Sequence, residues 1–214
     1  MDSLPQGLRA AGIAAGIKAH ATPDLGLLLA DEAAPTAAVF TRSLLLGAHV
    51  PVCREKLQRS GGRVRAVLVN SGNANCSTGE AGREDNLRIA GALADRLGCH
   101  EDEVLFLSTG VIGARLPVAT LLEGLGPLVA AARPEGLADF ARAIMTTDTR
   151  PKVEAALTSD CSVVGAAKGS GMIHPDMATM LGFLMTDAAL GPEPQGLLQR
   201  VVDRSFHRTT VDGD

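Results

Sequence analysis

Lys168-Gly169-Ser170-Gly171-Met172-Ile173-His174-Pro175-Asp176-Met177-Ala178-Thr179-Met180-Leu181 joins a glycine- and proline-marked loop to the start of an apolar run. Two glycines and a proline make a loop of special backbone geometry. The loop gives way to an apolar run, Met180 to Met185, interrupted only by Gly182. The run is too short for a membrane span and too uniformly apolar for an exposed strand, so it predicts a buried central strand. Thr179 then stands where a loop enters a core strand, rigidly held yet able to face a cleft. Taken alone, the Ala-Thr pair reads as no more than a β-branched residue opening a strand.

Working outward, the 214 residues are 46% hydrophobic and 21% charged, the balance of a soluble globular protein that can bury a core as one large domain or two small ones. Net charge is −4, with both signs interspersed, and Trp and Tyr are absent. That removes the basic face and the stacking platforms of a nucleic-acid binder. No apolar run reaches the length of a membrane helix, and the N-terminus lacks a basic segment followed by an apolar one. Cys53, Cys76, Cys99 and Cys161 are scattered, with no Cys-x-x-Cys pair and no metal-like spacing with the five histidines. These features predict a cytoplasmic protein with reduced thiols, and make the Asn75-Cys76-Ser77 glycosylation sequon accidental.

In chain order, residues 7–20 are Gly- and Ala-rich, and Gly7, Gly12 and Gly16 argue against a good helix. Strands are predicted over Asp24–Ala30 and Ala37–Thr41, and a surface helix over Val52–Arg59 that stops at Ser60-Gly61-Gly62. The strand Val64–Val69 runs into Asn70-Ser71-Gly72-Asn73-Ala74-Asn75, whose amides can simply serve their own turn. Ser77 to Glu80 spells a capping box, opening a helix with Leu87, Ala90, Leu93, Ala94 and Leu97 on one face and Gly98 at its end. The strand Glu103–Leu107 ends at Ser108-Thr109-Gly110. A Thr hydroxyl and a Gly N–H in one tight turn can hold an oxyanion, worth about 2.7–4 kcal/mol per donor in well-studied cases, although Ser-Thr-Gly is also a common turn. Helices over 117–132 and 137–145, strands over 153–157 and 161–166, and a helix over 192–206 complete an α/β pattern.

The opening stretch closely resembles the self-cleavage segment of the ornithine acetyltransferase family, the bifunctional glutamate N-acetyltransferases of arginine biosynthesis. Val69-Asn70-Ser71-Gly72-Asn73-Ala74-Asn75 and Thr146-Thr147-Asp148-Thr149-Arg150-Pro151-Lys152 resemble further family segments. The resemblance implies a helix–sheet–sheet–helix layered fold like that of N-terminal-nucleophile enzymes. It implies cleavage between Ala178 and Thr179, with Thr179 as nucleophile, Thr109 and Gly110 as oxyanion hole, and Thr146, Lys168 and Thr179 at the substrate. The Thr146 hydroxyl equally fits a helix C-terminal contact. Residues 1–178 would form an alpha-chain-like segment and 179–214 the start of a beta-chain-like one, because 205–214 resembles the family's mid-chain. The expected partner is then the chain's own C-terminal half, in a hetero-oligomer of cleaved chains. Without it, the apolar strand at 180–185 would lack cover and substrate contacts.

A threonine hydroxyl is a poor nucleophile near pH 7 and needs a base. Cleavage before Thr179 would release an α-amine of pKa about 7.7–8.0, placed to take the hydroxyl proton. A positive neighbour would lower it further; Lys168 is a candidate by proximity, although a solvated surface lysine fits that position too. Thr179 would take acetyl from N-acetylornithine and pass it to glutamate, a route that needs no metal and no cofactor and leaves acetyl-CoA open as a second donor. Two other readings share these residues: an N-terminal-threonine amidohydrolase or aminopeptidase with water as acceptor, and an inactive fragment.

Overall fold

The computed structural model describes residues 4–175 and 179–212. Its elements, in order, are β1 (Leu8–Ile13), β2 (Leu25–Pro35), α1 (His49–Arg59), β3 (Arg63–Asn73), α2 (Gly79–Leu97), β4 (Val104–Val111), α3 (Val118–Ala131), α4 (Leu137–Ala143), β5 (Lys152–Leu157), β6 (Ser162–Lys168), β7 (Leu181–Thr186) and α5 (Pro194–Arg204). Strands β1 to β4 lie side by side in chain order. Only β3 and β4 are parallel, because α2 carries the chain back across the sheet between them. Strands β5 to β7 form a separate antiparallel sheet.

Period-two alternation explains the stacking. Leu25, Leu27 and Leu29 of β2, Leu68 of β3 and Phe106 of β4 face one way, into a core closed by Ile89 and Leu93 of α2 and by Leu121, Leu125 and Leu128 of α3. Leu28, Val67, Val69 and Leu107 face the other way, onto Phe140 and Ile144 near α4 and onto Val164, Ala166 and Met185 of the second sheet. Phe140 and Phe183 meet edge to face, with centroids 5.2 Å apart. The first sheet is therefore buried on both faces, and each fully buried Leu contributes roughly 1.5–3 kcal/mol. Gly12 lets α4 lie close, since a Cβ there would stand 2.0 Å from the Asp139 carbonyl. The layers are helix, sheet and sheet; Phe206, just after α5, begins a fourth against Gly182, while Val163 and Leu184 stay exposed on that side. No helix among the described residues is long and apolar enough to cross a membrane.

Four expectations change. Residues 36–40 are irregular rather than a strand: β2 runs on to Pro35, and Ala38 satisfies its backbone on the Gln195 amide of α5, at 3.2 and 3.0 Å. The capping box does not form. Ser77 sits at φ +58, the N-cap is Thr78 without a side-chain cap, and the Thr78 hydroxyl bonds Asn75 Oδ1 instead. The buried stripe of α2 runs through Asn86, Ile89, Ala90, Leu93 and Ala94 rather than Leu87, although the helix does end at left-handed Gly98. Finally, the run at 180–185 is not central. Among the described residues β7 is an edge strand, buried at Met185 and open at Gly182 and Leu184.

Candidate active site

The parallel pairing of β3 with β4 brings two polar strand ends together, with Asn70 opposite Ser108, Ser71 opposite Thr109 and Gly72 opposite Gly110. The asparagines serve the turn. Asn70 donates to the Asn73 carbonyl at 2.9 Å, Asn73 to the Ala114 and Arg115 carbonyls, and Asn75 to the Gly82 carbonyl. Gly110 is required twice over. Its φ is +133, and a Cβ would stand 2.5 Å from the Gly72 carbonyl carbon.

Thr109 is buried, and its Oγ1 accepts a hydrogen bond of 2.9 Å from Lys168 Nζ. Lys168 ends β6 with only 3% of its surface exposed, which overturns its reading as a solvated lysine. Burial pulls its pKa below the usual lysine value; Asp148 pushes back, while Lys152 and Lys18 add to the fall. As an ammonium Lys168 has donors and no acceptor, so bonding Oγ1 leaves the Thr109 hydroxyl proton free to point elsewhere.

Asp148 is the hub behind this pair. One carboxylate oxygen accepts from the Gly169 N–H at 2.9 Å and from Lys152 Nζ, and the other from the Thr146 N–H at 3.2 Å. Burial alone would raise its pKa, but the bonds from Lys152, Gly169 and Thr146 hold it below the usual carboxylate value. A second buried carboxylate, Asp24, collects the N–H groups of Ala15, Gly16, Ile17 and Lys18. This points Lys18 Nζ at the Met145 carbonyl, 2.8 Å away and next to Thr146.

Thr109, Gly110, Thr146, Lys168 and Thr179 all line one cleft of about 1150 Å³. Thr179 is exposed, at φ +58. For a β-branched residue that is a strained backbone, of order 1–3 kcal/mol. Ala178 lies outside the described residues, so the expected cut is described on its Thr179 side alone. Cys53 also lines the cleft, but burial pushes its thiol up to about 12, which makes it an inert core residue rather than a nucleophile.

The sequence pattern gives no site role to Asp148, Lys18, Asp24 or His49. The one available signal was an acid two residues after Thr146 and four before Lys152. His49 lines the cleft with Nδ1 buried and without a hydrogen-bond partner among the described residues. Burial pulls its pKa down to about 4. The unfolded chain binds the proton near 6.5 and the folded chain only near 4, so the stability present above pH 6.5 is lost as pH falls through that window. The gap corresponds to roughly 3 kcal/mol. Melting followed from pH 7 to 4 is expected to show this loss in the full-length protein and to be flatter for His49→Leu; equal slopes would assign the loss to other groups.

The sequence profile of the ArgJ family matches residues 9–214. The chain belongs to the ArgJ family. It is 53% identical over 217 residues to the arginine biosynthesis bifunctional protein ArgJ of Prochlorococcus marinus (strain MIT 9313), covering 99% of this chain and 51% of that protein. The ArgJ protein of Thermus thermophilus is 49% identical over 215 residues, with 99% and 55% covered. The chain thus spans about half the length of the curated relatives it matches. Among solved structures, ornithine acetyltransferase from Mycobacterium tuberculosis, complexed with ornithine, is similar at TM-score 0.75 and 41% identity, over 83% of this chain and 94% of that one. ArgJ from Bacillus halodurans is similar at TM-score 0.72 and 35% identity, over 82% and 94%. These ArgJ neighbours share the layered α/β, N-terminal-nucleophile type of fold expected from the sequence.

Proposed function

We propose that this chain is the N-terminal portion of a self-cleaving glutamate N-acetyltransferase, moving acetyl from N-acetylornithine to glutamate in arginine biosynthesis. The observation that carries the reading is the convergence of Thr179, Thr109, Gly110, Thr146 and Lys168 on one cleft. Membership of the ArgJ family and the ornithine held by the Mycobacterium tuberculosis relative support the same substrates.

Thr179 Oγ attacks the Ala178 carbonyl carbon, the C–N bond breaks, and an ester and a free Thr179 amine form. Water then hydrolyses the ester, leaving an Ala178 carboxylate and a free hydroxyl. Residues 1–178 become an alpha chain, and a beta chain begins at Thr179. The new amine takes the hydroxyl proton as Oγ attacks the acetyl carbonyl of N-acetylornithine. The oxyanion is met by the Thr109 hydroxyl, which Lys168 polarises, and by the Gly110 N–H. Ornithine leaves with the proton, and the glutamate amine attacks acetyl-Thr179, restoring the hydroxyl. Thr146, which lines the same cleft, would contact the substrate. Acetyl-CoA remains open as a second donor. We place the enzyme in the cytoplasm, as a hetero-oligomer of cleaved chains.

Intact mass of the full-length protein is expected to give two pieces, beginning at Met1 and Thr179. Parallel double-reciprocal lines for N-acetylornithine and glutamate, with an acetylated Thr179 peptide, are expected from the two half-reactions. One uncut species in an active preparation, or converging lines without that peptide, would overturn the reading.

A further inference from the structure

We infer that Asp148 is a positioning residue that locks Thr146, Gly169 and the Lys168–Thr109 pair into one unit. This rests on the self-cleavage reading above. Three segments with separate duties meet at one buried carboxylate: the turn carrying Thr146, the start of β5 at Lys152, and Gly169, which leads from Lys168 toward Thr179. Gly169 stands close to the nucleophile, since a Cβ there would lie 3.7 Å from the Thr179 carbonyl oxygen. A shift at Asp148 therefore reaches Thr146 through one oxygen, and Lys168 and Thr179 through the other. The side chain has no exposed surface, so it cannot relax toward water when a partner is lost.

Asp148 also acts on the charge of Lys168, against the larger effect of burial. Among the described residues, the charged groups acting on Lys168 are Asp148 and Lys152, which precede and open β5, and Lys18 from the β1–β2 loop; Thr109 of β4 takes its hydrogen bond. Asp148 favours the ammonium, and the two lysines oppose it. The ammonium is the stronger donor to Thr109 Oγ1, and the same pair would meet the oxyanion formed on the Ala178 carbonyl during cleavage, so cleavage slows as pH rises through the Lys168 titration. Removing Asp148 moves that fall to lower pH, and removing Lys152 moves it to higher pH.

The test is the rate of self-cleavage against pH in the full-length protein. In Asp148→Asn the amide oxygen can still serve Gly169, but its NH₂ then faces the Thr146 N–H, donor against donor. Cleavage is expected roughly 10-fold slower, the fold-change of one lost hydrogen bond to a charged group, with the basic limb at lower pH. Lys152→Ala removes a side chain that is 43% exposed, so it spares the core and decides the question even if Asp148→Asn fails to fold. Its basic limb is expected at higher pH. A Lys152→Ala limb that stays in place or moves down overturns the inference, as does an Asp148→Asn protein that folds and cleaves like the parent. An uncut parent overturns the cleavage reading, and this inference with it.

Discussion

Thr179→Ala in the full-length protein is expected to give a single uncut chain with no acetyl transfer above background. In the proposed mechanism both reactions begin with the same oxygen. Without Oγ no ester can form with the Ala178 carbonyl, and the backbone amide is left to uncatalysed hydrolysis. Without cleavage there is no free Thr179 amine to act as base, so transfer would fail even with another nucleophile nearby. Cys53, which lines the same cleft, is no substitute, because burial pushes its thiol up to about 12. The expected loss of transfer is on the order of 10⁶-fold, the scale seen when a nucleophile is removed from a unit of this kind. Thr179→Ser separates nucleophile from strain. It keeps the hydroxyl but lacks the branched Cβ held at φ +58, so it should cleave more slowly than the parent while remaining competent to transfer once cut. A Thr179→Ala chain that still splits, or that still makes acetylglutamate, would falsify the assignment.

The parts of this site that could be read in the sequence are those written in local order. Local pattern marked a loop before an apolar run and a strand running into Thr-Gly, and the resemblance of those segments to a known family is what singled out Thr179, Thr109 and Gly110. What could not be read depends on which distant segments meet. Lys168 looks like any lysine near a loop until β6 closes over β4 and sets its Nζ on Thr109. Asp148 acquires its role only when Gly169 arrives, 21 residues along the chain. The fold errors have the same origin. Apolar residues at 37–41 suggest a strand, but β2 already ends at Pro35 and α5 supplies the hydrogen bonds instead. The run at 180–185 carries apolar residues for both pleat faces, and the sequence alone does not say how many neighbours those faces receive.

Thr109→Ala is expected to lower turnover on the order of 100-fold while leaving KM nearly unchanged. In the proposed mechanism the hydroxyl meets an oxygen that carries negative charge only in the transition state, so its loss would appear in the rate rather than in ground-state binding. The substitution has a second consequence, which fixes how the measurement must be made. Lys168 Nζ is buried and loses the Oγ1 acceptor, and an unsatisfied buried polar group costs about 1–3 kcal/mol or more when charged. The variant should therefore melt earlier, and turnover has to be expressed per folded, cleaved molecule. Thr109→Ser distinguishes the two effects, because it restores both the acceptor for Lys168 and the proton for the oxyanion. It should recover most of the turnover and most of the melting temperature together. If Thr109 were only a turn residue, Thr109→Ala would shift the melting temperature and leave turnover per folded molecule close to that of the parent.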